Sequence, residues 1–331
     1  MNAIAVTAQP TPALVPRYER AVDPNSLLGP RTLAVIGFGS AAPANLDDPR
    51  YLRVGLQPSD FAAWFEVWES PTAVRVYRDG PICGASNDEV AFGWIECSEG
   101  EHGIESAAHF AYQAALAQLA SSKFPHLLRV WNYLDAITEG EADDERYRQF
   151  CAGRATAFAV HCERFPAATA VGRRDGLRVL QLYWLSAKAA GTPLENPRQL
   201  EAWRYPREYG PRSPSFVRAM LPPAQLGLPL MLSGTAAIIG HASQHVDDLA
   251  AQLDETMRNF SALIDAARAV QPALSAHFDS SSLLKVYLRD AQAGFEALLD
   301  RHLPADVPRL VVYADICRSN LAVEIDGFHG C

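Results

Sequence analysis

Glu324 stands between Val323 and Ile325 in LAVEIDG (Leu321–Gly327). Successive side chains of a strand point to opposite faces, so two core-facing aliphatics put Glu324 on the other face. That face is either solvent or a cavity. In a cavity, partial loss of water raises a carboxyl pKa and lets the group keep a proton near neutral pH, as a general acid must. A second set of residues has the chemistry of anion recognition. Tyr147, Arg154, Tyr205, Arg207, Tyr209 and Arg212 fall in two segments of the middle of the chain. Arginine offers a planar fork for carboxylates, and tyrosine adds an orienting hydroxyl. Two such sets would suit a small dicarboxylate. The alternative is solvated charge and ordinary loop aromatics.

Three other patterns carry less chemistry. VIGFGSAA (Val35–Ala42) begins like a dinucleotide loop, but Pro43, Asp47, Asp48 and Pro49 follow where a helix would have to open. It therefore reads as a turn at a strand end. His241 and His245 have a helical metal-ligand spacing, yet the Glu of HExxH is missing and no third ligand is evident, so structural or capping roles are expected. Ser233 lies in an apolar strand without a GxSxG elbow, which argues against a serine hydrolase.

These side chains must be positioned by a chain of 331 residues, 49% hydrophobic and 20% charged. That is globular composition with material for about two domains. The net charge of −9 argues against a sequence-independent nucleic-acid binder but leaves an anionic small substrate possible. Six cysteines without CxxC spacing argue against structural zinc and against a disulfide scaffold, and suggest a reducing cytoplasm. No apolar run of about 18 residues is present, so no membrane span is expected. The first residues lack the pattern of a signal peptide.

Residues 1–30 are Pro-rich and are expected to form an extended tail that packs only locally. Strands are expected at Arg31–Phe38, within 52–98 in antiparallel hairpins, and at Leu127–Leu134, Leu177–Ser186, Leu228–Ile239, Leu283–Asp290, Arg309–Arg318 and Leu321–Gly327. Helices are expected at Ser106–Ser121, about Asp143–Ala152, His245–Val270 and Ala291–His302. Residues 187–222 look too polar and broken for regular structure, a kind of loop that often carries function. LLRVWNYL and LLKVYLRD each follow a long helix and precede a shorter one, a weak repeat at about 156 residues. The expectation is α+β, with two similar units, each a mixed sheet with helices on one face.

Four regions together resemble the chorismatase family. They are RVWNYL (Arg129–Leu134), RYRQFCAGRATAF (Arg146–Phe158), NPRQLEAWRYPREYGPRSPSFVRA (Asn196–Ala219), and SGTAAIIGHASQH (Ser233–His245) with CRSNLAVEIDGF (Cys317–Phe328). The last pattern is also similar to the closing strand of the YjgF-like fold. The resemblance implies two YjgF-like units after the tail, 31–160 and 161–331, the second carrying most of the active site. It implies cleavage of the enolpyruvyl ether of chorismate to pyruvate, without metal or organic cofactor, in a bacterial cytoplasm. Glu324 would be the general acid. Arg154 with Tyr147, and Tyr209 with Arg212, would clamp the two carboxylates, with the choice between Arg207 and Arg212 left open. Gly234 and Cys317 match the hydroxybenzoate-forming branches and not the hydrolytic one. Cys317 would line the pocket and exclude or position water, not attack as a nucleophile. The mixed 3-/4-hydroxybenzoate branch, which feeds pigment and quinone pathways, looks nearest. The rivals are a hydrolytic chorismatase giving a dihydroxy-cyclohexadiene carboxylate, a YjgF-like enamine or imine deaminase, and a non-catalytic binder of an aromatic acid. Oligomeric state is not legible.

Overall fold

The computed structural model describes residues 11–44, 46–161 and 164–331. Cys162 lies outside them, as do the first ten residues of the expected tail. The chain opens with β1 (Val15–Arg20), β2 (Thr32–Phe38), β3 (Tyr51–Val54), the short β4 (Gln57–Pro58) and β5 (Trp64–Glu69). Four of these form a sheet in the order β1-β5-β2-β3. The expected local tail is thus corrected: β1 pairs with β5 along its whole length, and the Tyr18 hydroxyl donates to the Leu284 carbonyl at 3.1 Å.

The next elements are β6 (Arg75–Asp79), β7 (Ile82–Ser86), β8 (Val90–Ser98), α1 (Gly103–Ser121), β9 (His126–Asp135), α2 (Arg146–His161), β10 (Ala167–Arg173) and β11 (Val179–Ala187). They build a sheet ordered β10-β9-β11-β8-β7-β6. Only β9 and β10 run parallel, and helix α2 makes the crossover that a parallel pair requires. Helix α1 contains neither Gly nor Pro after its first residue. It buries Ile104, Ala107, Ala108, Ala111, Tyr112 and Ala115, the three-and-four spacing of one helical face.

The chain then repeats this path. It runs through β12 (Thr192–Leu194), β13 (Ala219–Leu221), β14 (Leu230–Thr235), the small hairpin β15 (Ile238–Ile239) and β16 (Ala242–Ser243), α3 (Leu249–Val270), β17 (Ser282–Leu288), α4 (Phe295–Leu299), β18 (Arg309–Tyr313) and β19 (Val323–His329). The sheet order is β12-β13-β14-β19-β17-β18-β4. In both units three consecutive antiparallel strands come first and a parallel pair lies at the far side. The last strand inserts between them. The fold is therefore α+β with a duplicated topology, and the repeat seen in the sequence corresponds to β9 and β17. The expected division at residue 160 cuts through the first sheet, which continues to Ala187.

Helices α1 and α2 cover the outer face of the first sheet and α3 that of the second. A third core forms where the three sheets meet, around Trp68, Trp131, Tyr183 and Phe328. Trp131 stacks on Tyr183 at 4.7 Å. This core also holds ions. Lys285 Nζ lies 2.6 Å from Glu66 Oε2, both almost fully buried. Such charges persist inside a protein only when paired. Among the described residues, no helix is long and apolar enough to cross a membrane.

Candidate active site

The two units abut along β10 and β14. Ser233 stitches them: its buried hydroxyl donates to the Val217 carbonyl at 2.6 Å and accepts from the Ala168 N–H at 2.9 Å. That accounts for Ser233 as a structural serine. Beside this seam opens a cavity of about 550 Å³, a normal size for a small-molecule site. Its walls come from both units: Thr169 of β10, Gly234 of β14, Glu324 of β19, and Tyr147 and Arg154 of α2. The 196–219 connection closes it with Tyr205, Tyr209 and Arg218, and the segment before β19 adds Cys317 and Arg318.

Glu324 is 5% exposed. Burial, and then the negative charge of Asp326, push its pKa up to about 8 against the pull of Arg129, Arg218 and Arg318. The carboxyl group thus keeps its proton at neutral pH. Gly234 packs directly on it. A methyl group built on Gly234 would overlap Glu324 Oε1 and sit 2.9 Å from its carboxyl carbon. Cys317 lines the same wall. Burial, followed by the nearby Glu324, holds its thiol up at about 12, which leaves it protonated and a poor nucleophile.

Arg154 is 1% exposed, yet its Nε and Nη2 have no hydrogen-bond partner. Its guanidinium rests 5.0 Å from the Phe150 ring centre and 6.0 Å from that of Tyr112. No carboxylate of the described residues pairs with it. An orphaned buried cation facing a cavity is a receptor for an anion, because the ligand supplies the missing partner. Tyr147 is half-buried beside it, and loss of water around its hydroxyl raises its phenol well above the usual range.

The second cationic group differs from the sequence expectation. Arg212 is exposed and is not among the residues lining the cavity. Arg207 is also outside, bonded to Asp143 at 2.5 Å and 2.8 Å. The arginines of the 196–219 connection and of the segment before β19 that do line the cavity are Arg218 and Arg318. Arg218 is 3% exposed, donates to Tyr205 Oη at 2.7 Å, and keeps a buried Nε without a partner. Arg318 donates to the His241 carbonyl at 2.8 Å and lies 4.2 Å over the Tyr209 ring. Tyr209 does line the cavity, but as the platform under Arg318, with its hydroxyl 3.2 Å from His241 Nδ1. Both arginines were present in the sequence signals: Arg218 interrupts an apolar run, and Arg318 adjoins Cys317. His241 and His245 share no helix face. His245 has a left-handed backbone and lies 3.4 Å from Glu255 Oε2. Among the described residues no cluster of three or more His, Cys, Asp or Glu could hold a metal ion.

Comparison with known proteins agrees with this architecture. A family described as "Chorismatase FkbO/Hyg5-like, N-terminal" matches residues 66–186. A 3-hydroxybenzoate synthase of Streptomyces hygroscopicus is 36% identical over 236 residues, covering 67% of this chain and 68% of that protein. A chorismatase of the same organism is 30% identical over 322 residues, 94% of this chain and 93% of its own length. A crystal structure of a chorismatase superposes with a TM-score of 0.85 at 29% identity, covering 96% of this chain and 98% of that one. With the same fold and related sequence along nearly its whole length, the chain belongs to the chorismatase family.

Proposed function

We propose that this enzyme cleaves the enolpyruvyl ether of chorismate to pyruvate and 3-hydroxybenzoate, with or without the 4-isomer, and that it needs no cofactor. One observation carries the reading: a buried carboxyl group that stays protonated to about pH 8 faces a cavity holding an unpaired buried arginine. Glu324 protonates the enolpyruvyl methylene and creates an oxocarbenium-like centre. A hydroxyl of the substrate attacks the neighbouring ring carbon that bears the ether, whose C–O bond breaks as pyruvate leaves. The hydroxyl proton returns to the bridging oxygen as one of its two C–O bonds opens, and the ring gives up a C–H proton as it becomes aromatic. That proton returns to the Glu324 carboxylate, so neither water nor net acid is consumed. Arg154 holds one substrate carboxylate, and Arg218 with Arg318 holds the other, turning binding energy into orientation. Gly234 and the protonated Cys317 shape the wall at the reacting centre. The resemblance to a protein named 3-hydroxybenzoate synthase supports the same products.

The test is to incubate the purified protein with chorismate and separate the products by chromatography. Pyruvate with 3-hydroxybenzoate is the expected result. Pyruvate with a dihydroxy-cyclohexadiene carboxylate would replace this reading by the hydrolytic one. No pyruvate at high enzyme concentration would refute chorismate cleavage.

A further inference from the structure

We propose that Asp326 is a positioning residue for Glu324: a fixed negative charge, clamped in the core behind the cavity, that keeps the catalytic proton on the acid. This rests on Glu324 being the general acid. The geometry is that of one strand face. Glu324 and Asp326 are two apart in β19, so both side chains leave the strand on the same side. Across the ladder Tyr287 of β17 faces Glu324 and Lys285 faces Asp326. Glu324 borders the cavity, whereas Asp326 is 1% exposed and lies one layer deeper.

Three donors converge on a single oxygen of Asp326. The Tyr287 hydroxyl donates at 2.9 Å, the Thr169 hydroxyl at 2.6 Å and Arg129 Nη2 at 3.0 Å. That is the arrangement of a carboxylate anion, which accepts only. The clamp is itself braced. Arg129 also donates to Thr169 Oγ1 at 2.5 Å and to the Val130 carbonyl at 2.7 Å, and its guanidinium lies 4.3 Å over the Trp131 ring. The Tyr287 hydroxyl lies 3.2 Å from that of Tyr133, which neighbours the Tyr183 hydroxyl bonded to Lys285.

The charges around Glu324 explain the need for this anion. Arg129 reaches it from β9, Arg218 from the long connection and Arg318 from the segment before β19, and each favours loss of the proton. Arg154 and Tyr147 of α2 line the same cavity, and Cys317 and Tyr287 face the acid as neutral groups. A site lined with guanidinium groups for a dianionic substrate would by itself strip its own acid. Burial and Asp326 oppose that. Asp326 acts twice, by direct repulsion and by neutralising Arg129.

The experiment is the pH dependence of pyruvate release for Asp326→Asn and, separately, Arg129→Gln. Asp326→Asn should move the basic limb of kcat down by about one to two pH units, the shift expected for one buried charge at this range. Turnover at pH 8 would then fall by roughly 5- to 50-fold, with the rate at pH 5.5 and the KM for chorismate close to native. Arg129→Gln should move the limb upwards. A purely structural role would lower kcat at every pH without moving the limb, and that result overturns the proposal. If Asp326→Asn does not fold alone, the double variant Asp326→Asn/Arg129→Gln, which removes the ion pair together, decides: its limb must lie below that of Arg129→Gln, and equal limbs overturn the proposal. An infrared titration of the Glu324 carboxyl band, with Glu324→Gln as reference, reads the same protonation without turnover. Absence of pyruvate release in the native enzyme would fault the assigned reaction. A Glu324 band unchanged by either charge substitution would fault the Asp326 pairing.

Discussion

Glu324→Gln should make the protein more stable at alkaline pH while abolishing most of its activity. The folded protein holds the Glu324 proton up to about 8, where an unfolded chain releases it near 4.5. A group with a raised folded pKa stabilises fully below its unfolded pKa, and that contribution is lost as pH rises through the folded value. At about 1.4 kcal/mol per pH unit, the native protein therefore carries roughly 5 kcal/mol less stability from this site at pH 9 than in acid. Glutamine fills the same space without a proton to lose. The difference between variant and native stability should be under about 1 kcal/mol at pH 5 and reach roughly 5 kcal/mol at pH 9, with the variant the more stable. Urea denaturation of both proteins at each pH gives the two differences, and titrating groups remote from Glu324 cancel between them. Equal stabilities at pH 9 would mean that the carboxyl group ionises without penalty, and the general-acid assignment would lose its physical basis. Turnover of the same variant should fall about 100-fold or more with little change in chorismate affinity.

Arg154→Met removes a buried cation that lacks a partner, so the apoprotein should gain about 1–3 kcal/mol in denaturation while KM rises roughly 30- to 100-fold. Gly234→Ala should leave the melting temperature near native, because the clash falls on the movable end of the Glu324 side chain. The displaced acid should cost about 100-fold in kcat and shift products towards the dihydroxy acid, read by chromatography. Arg212→Ala should keep KM within about twofold of native, whereas Arg218→Gln should raise it by about tenfold or more, as expected for a charge-assisted contact.

What the sequence disclosed was local. Alternation around Glu324 is visible in five residues, and its burial follows once a cavity is assumed. The helical face of α1 is a matter of spacing, and the duplicated path showed as the likeness of β9 and β17. What stayed hidden depends on long-range pairing. Strand β10, AATAVGR, is buried on both faces and so shows no alternation. Strand β1 was obscured by Pro16, which an edge strand tolerates. The helix expected from Ala291 is shortened to Phe295–Leu299 by Gly294, whose φ is 81°. Helix α3 starts at Leu249 because His245 and Asp247 have left-handed backbones and Asp248 caps the first turn. Arg212 looked like a ligand because it sits in a conspicuous proline-rich motif. Arg218, six residues on, is the one that β13 and its neighbours carry inward. Asp326 carries no local signal, because its partners Arg129, Thr169 and Tyr287 come from three distant strands.

The seam between β10 and β14 has a consequence for how the site is assembled. Neither unit walls the cavity alone: the acid and its glycine come from one, the buried arginine from the other. Were the units separate molecules, the site would form and fall apart by mass action. Tethered in one chain, they meet at an effective concentration in the millimolar range, set by the linker and not by expression level. Specific activity should therefore be indifferent to dilution. The tether also frees the two copies from identity. A pair of identical subunits would have to repeat every residue in both halves, whereas here one copy could keep its aromatic core and the other acquire an acid.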